Sequence, residues 1–154
     1  MLSLIIGAVV IFGVAAASAG PLPNLNLTPG VARTELTVHQ ICTTKWGKDA
    51  RAVTAAMKRQ VFQEYGLTGN SDPFCRPKGC EIDHAISREL GGADDVKNLW
   101  PQSYSGPWNA HMKDRVENRL HKEVCAGTIS LDAARAGIVH DWTAIYRQYF
   151  GAAN

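Results

Sequence analysis

Several signatures are missing from this chain of 154 residues, and each absence closes a class of function. No glycine-rich P-loop ends in Lys-Ser or Lys-Thr, and no His-Glu-x-x-His pair is present to hold a protease zinc. There is no Gly-x-Ser-x-Gly elbow to present a nucleophilic serine, and no EF-hand loop to wrap calcium. Internal repeats and low-complexity tracts are absent too. Charge of one sign is scarce: the formal net charge is only +2, which by itself argues neither for nor against a nucleic-acid partner. No Lys or Arg precedes the apolar residues that open the chain.

What is present bounds the rest. The length suits one domain with a real core. Hydrophobic (45%) and charged (19%) fractions are those of a globular chain, which excludes wholesale disorder. Residues 1–19 are apolar apart from Ser3 and Ser18 and end in Ala17-Ser18-Ala19. Small residues at the positions a signal peptidase reads predict a cleaved signal and a mature start at Gly20, with a periplasmic or secreted product free of stable membrane association. A retained N-terminal anchor is the alternative, but the run is short for a span of roughly twenty residues.

Export changes how the cysteines read. Cys42, Cys75, Cys80 and Cys125 are an even set, consistent with two disulfides. Of the three possible pairings, Cys75–Cys80 with Cys42–Cys125 is favoured: the first closes a small loop before a strand, the second ties outer helices. A four-cysteine zinc site is the alternative, with poor spacing for it.

Residues 20–36, rich in Pro, Gly and Asn, predict an extended arm or linker, followed by a single domain over 37–154 with its core at 80–125. Thr37 can cap a short turn through Cys42. Val53, Met57, Val61 and Tyr65 recur at fours and predict a helix over 50–65, stopped by Gly66. Residues 81–86 read as a strand and 98–100 as its partner, joined through Gly91-Gly92 and Asp94-Asp95. After Pro107, Met112, Val116, Leu120 and Val124 mark a helix ending at Gly127. Ser130 caps a segment through Val139, and Asp141 starts a last helix with Trp142, Ile145, Tyr146 and Tyr149 on its apolar face. The fold class predicted is α+β, a small hairpin among helices.

Chemistry concentrates between Cys80 and Glu117, with adjacent Asp83 and His84, the Gly91-Gly92 turn, Asn98, and His111 near a helix start. Phosphodiester hydrolysis needs a generated nucleophile and charge neutralisation at the leaving oxygen. A histidine suits the first task, its unperturbed pKa lying near neutrality. A hard divalent cation suits the second.

The order Asp-His, Gly-Gly, Asn, His resembles the HNH endonucleases, and the 14 positions between His84 and Asn98 match that family's spacing. The Asn98-Leu99-Trp100-Pro101-Gln102 segment is similar to a subgroup of small bacterial HNH-type proteins. The resemblance covers about residues 34–149, and implies a ββα-metal core in which two strands and a helix surround one metal. It makes His84 the general base, Asp83 a metal ligand, and Asn98 the residue that braces the base or pins the hairpin. Asp83 and His84 reach one site only if the strand bends there. The helix ligand is His111 or Asn109. Projected at roughly 100° per residue from Met112, Asn109 lies about 60° and His111 about 100° away, so geometry leans to Asn109 and donor chemistry to His111. The chain departs from many HNH members in lacking Cys-x-x-Cys knuckles and in its longer loop from Ser103 to Trp108.

The function this implies is an exported endonuclease of low sequence specificity, dependent on a divalent metal (Mg²⁺, with Mn²⁺ or Zn²⁺ as alternatives), acting on nucleic acid, with DNA favoured and RNA as the alternative. Phosphate contacts are expected from Lys45, Lys48, Arg51, Lys58 and Arg59, with Lys113 and Arg115 on the helix. Lys113 and Glu117, four apart, read otherwise as a surface ion pair. Two alternatives stand beside the nuclease: an exported binding protein that keeps the core without catalysis, and a hydrolase of another phosphate ester.

Overall fold

A computed structural model describes residues 19–153; the expected signal segment lies almost wholly outside them. Thr37 opens α1 (Val38–Thr43) with a capping box, its side chain and that of Gln40 bonding each other's backbone amides. Helix α2 spans Ala55–Glu64. Its expected start at residue 50 is too early, because the Thr54 hydroxyl accepts the Met57 amide and sets the boundary there. Strands β1 (Cys80–His84) and β2 (Leu99–Ser103) form an antiparallel pair in which Cys80 faces Ser103 and His84 faces Leu99. Then come α3 (Ala110–Cys125) and α4 (Leu131–Phe150). The described chain is thus mixed α+β, a two-stranded hairpin followed by a helix. No described helix is long and apolar enough to cross a membrane.

Helix α4 breaks where the sequence puts a boundary. Asp141 has φ −160° and ψ 85°, and its Oδ1 accepts the Ala144 amide at 2.9 Å and the Thr143 hydroxyl at 2.6 Å. The carboxylate caps the second half of the helix from inside the first.

Two apolar clusters hold the hairpin. One joins Val61 and Tyr65 of α2 to Ile82, Leu99 and Trp100. The other gathers Ile41, Ile86, Leu90, Val116, Leu120, Ile138 and Trp142 beneath α3 and α4. Both disulfides form in the favoured pairing, Cys42–Cys125 linking α1 to α3 and Cys75–Cys80 closing the loop before β1. The arm packs against the domain without regular structure of its own. The Thr28 hydroxyl donates to the Leu99 carbonyl, the Trp142 indole donates to the Pro21 carbonyl, and Ala32 bridges Gly92.

Gly92 is set by close approach. A Cβ there would lie 1.8 Å from the Ile86 carbonyl oxygen, a distance no side chain survives. This tight loop is pinned by Asn98, which is fully buried. Its Oδ1 accepts the Ile86 and Val31 amides, while Nδ2 donates to the Ile86 and Ala93 carbonyls. Of the two roles expected for Asn98, the contacts are those of pinning.

Candidate active site

His84 ends β1 and is 4% exposed. Its Nε2 lies 2.7 Å from Oδ1 of Asp94, on the loop after Gly92. Burial lowers the imidazole pKa below 6.5, outweighing the upward pull of the Asp83 and Asp94 charges, so the ring is neutral at pH 7. Burial pushes the Asp94 carboxyl the other way, but the Ala52 amide and His84 outweigh it and keep the group ionised. A neutral imidazole against a carboxylate must carry its proton on Nε2, which leaves the Nδ1 lone pair to accept one. That is the tautomer a general base needs, oriented by an anion as in a nucleophile–His–Asp arrangement.

Cations surround this pair. Exposed Arg51 donates from Nη2 to the Ile82 carbonyl at 2.7 Å and helps depress the His84 pKa. Arg88 bonds Asp49 and the Ala50 carbonyl, with Nε 3.9 Å from Asp94. Asp94 was visible in the sequence only as one of two loop aspartates; its role depends on the tight turn that returns the loop to the strand end.

Asp83 faces elsewhere. Its Oδ2 accepts from the Lys113 ammonium at 2.7 Å, and that ammonium also donates to the His84 carbonyl at 2.7 Å and to Glu117. Lys113 is 0% exposed, which corrects both readings of it from sequence: it is neither a surface ion-pair partner nor a residue that can touch a phosphate. Burial lowers its pKa, but the Asp83 and Glu117 charges more than compensate and raise it overall, so it is an obligate cation. Around it the carboxyls crowd. Glu81 and Asp114 are both pushed up, first by burial and then by the charge of Asp83.

The expected metal ligands each have another partner. Asp83 is held by Lys113. The His111 ring is exposed, 5.3 Å from the Tyr104 ring centroid and 3.8 Å from Asp114. Asn109 caps α3 with extended backbone and donates from Nδ2 to the Gly106 carbonyl. Its position outside the helix voids the projection at 100° per residue that favoured it. Among the described residues, the set of three His, Cys, Asp or Glu donor atoms within 4.8 Å of one another is Cys42, His121 and Cys125. Those two sulfurs are spent on each other in a disulfide, so they do not fit a metal either.

Of the residues expected to meet phosphate, Lys45, Lys48, Arg51, Lys58, Arg59 and Arg115 are exposed. Trp100 and Trp142 are core residues, fully buried, and Trp108 packs edge-on against Trp142. Comparison with protein-family models, with curated proteins and with solved structures finds no match to this chain.

Proposed function

We propose that this protein is an exported endonuclease, hydrolysing phosphodiester bonds of nucleic acid with low sequence specificity on an HNH-like core. The observation that carries the reading is the His84–Asp94 pair at 2.7 Å, flanked by Arg51 and Arg88. Nδ1 of His84 takes a proton from water as the water oxygen attacks phosphorus, and Asp94 balances the imidazolium that forms. The P–O bond to the leaving alkoxide breaks, and solvent returns a proton to that oxygen. Exposed Arg51 supplies positive charge to the non-bridging oxygens. No step is assigned to a metal, because the Lys113 ammonium occupies the Asp83 carboxylate expected to hold one.

A second reading, a binding protein without catalysis, is favoured by two observations. His84 has little surface open to water, and the Lys113 ammonium sits on the carboxylate expected to hold a metal.

Plasmid nicking by the purified, oxidised protein from Gly20 onward separates the readings. The assay compares the parent with His84→Ala in Mg²⁺, Mn²⁺, Zn²⁺ and chelator. Loss of a positioned base costs roughly 10²–10⁴-fold in rate, and that loss is expected. Activity that survives His84→Ala refutes the assigned base, while DNA binding without nicking under every condition supports the second reading.

A further inference from the structure

Away from the hairpin, the N-terminal half of α3 meets the end of α4 in an arrangement that the hydrolysis chemistry does not use. Arg115 lies with Cζ 4.2 Å from the Phe150 ring centroid and 5.1 Å from that of Tyr146, whose hydroxyl it also bonds. Arg147 stacks 4.7 Å over Trp108, and Arg119 stacks 4.5 Å over Tyr149. The rings brace one another, Trp108 edge-on to Tyr146 at 5.8 Å and Tyr146 against Phe150 at 5.0 Å. This platform fixes the guanidiniums in place before any ligand arrives.

Two features point to an occupant. First, Arg119 is paired with Glu123, whereas among the described residues no carboxylate lies within 4.0 Å of Arg115 or Arg147. Both are exposed, and a stacked guanidinium keeps its N–H edges for bidentate contact with a phosphate. Second, a cleft of about 570 Å³ opens beside Arg115, lined also by Asn109, His111, Met112, Tyr146 and Phe150. Its lining sets the exposed His111 ring beside Arg115, an aromatic face for a base next to a cation for a phosphate.

We propose that this arginine-on-aromatic cleft is a binding site for a nucleic-acid strand. Arg115 in the cleft and Arg147 outside it contact phosphates of one strand, and a base stacks on the His111 ring. The identity of the polymer rests on the proposed nuclease function, but the location does not. Arg115 was expected as a contact from sequence; Arg147 and the aromatic platform were not. The competing location is the exposed basic run from Lys45 to Arg59.

The test is fluorescence anisotropy of a labelled single-stranded oligonucleotide, measured in the His84→Ala background so that cleavage cannot interfere. Arg115→Gln and Arg147→Gln should each weaken binding by about 5–10-fold and flatten the dependence of log affinity on log salt by about 0.7 per lost phosphate contact. Arg147 is exposed, so its variant keeps the test valid if Arg115→Gln disturbs the Tyr146 contact; near-UV circular dichroism checks the fold of each. His111→Ala should weaken binding as well. Unchanged affinity in both arginine variants, with loss instead in Lys58→Gln and Arg59→Gln, overturns the proposal. So does equal competition by polyglutamate, which carries charge without bases. Absence of cleavage by the parent protein bears on the nuclease reading alone.

Discussion

Replacing Lys113 by alanine should be among the most damaging single changes in this protein. The side chain is fully buried and its ammonium meets Asp83, Glu117 and the His84 carbonyl. Removing it leaves the Asp83 carboxylate, the His84 carbonyl and Glu117, whose carboxyl pKa burial already pushes up to about 8, with no cation between them. Breaking a buried ion pair from one side costs about 3–5 kcal/mol, whereas an exposed helix pair at the same spacing is worth about 0.3–0.5 kcal/mol. At roughly 3 °C per kcal/mol for a chain of this size, the expected fall in Tm is about 10–15 °C. Urea unfolding of the oxidised protein should show a lower midpoint with an unchanged slope. The loss should persist in high salt, which screens surface pairs but not a buried one. Lys113→Met combined with Glu117→Gln should recover part of it, because one of the stranded charges is removed along with its partner. A loss below about 1 kcal/mol for Lys113→Ala, or one abolished by salt, would refute the buried-cation account.

Four further outcomes follow from the fold. Thiol labelling of the unfolded, unreduced protein should give no signal. Opening Cys42–Cys125, which spans 83 positions, should cost roughly 4–5 kcal/mol against roughly 2 kcal/mol for Cys75–Cys80, which spans 5, when each pair is changed to serine and measured by denaturant titration. Gly92→Ala should lower stability by several kcal/mol, on the order of the largest single-site effects, because its Cβ would strike the Ile86 carbonyl; a thermal melt within a degree of the parent would contradict the loop geometry. Chelator should leave Tm unchanged, since Lys113 is the cation that binds β1 to α3, and a drop of several degrees on adding EDTA would reveal a metal that the fold requires.

Much of the frame was legible in the residues. The hairpin could be read from its Gly-Gly turn and apolar flanks, although β1 ends at His84 rather than Ile86 and β2 runs on from Trp100 to Ser103; the disulfides could be read from an even cysteine set, and the Asp141 break from a capping residue inside an apolar pattern. Lys113 was misread because its charge argued for solvent, yet it lies three positions before Val116 and seven before Leu120, on the face those residues bury. Only a facing carboxylate makes that position tolerable for a cation, and Asp83 lies 30 positions away in sequence. Asp94 was hidden for a similar reason: a loop aspartate after two glycines reads as turn chemistry until the fold sets it against His84. The α2 start was misplaced because periodicity reached back past Thr54, whereas the cap hydrogen bond decides where the helix begins.

The central claim, that His84 is a base oriented by Asp94, is tested most directly by the pH–rate profile of plasmid nicking for the parent and for Asp94→Asn. The His84 pKa is depressed below 6.5 by burial, so the parent should hold full activity at pH 7 and lose it only as pH falls below about 6.5 and the ring protonates. Asp94→Asn removes the carboxylate that favours the imidazolium. Its apparent pKa should therefore move to lower pH, and its plateau rate should fall by roughly 10²–10⁴-fold. A parent profile whose inflection lies above pH 7, or an Asp94→Asn profile that overlays the parent, would contradict the account.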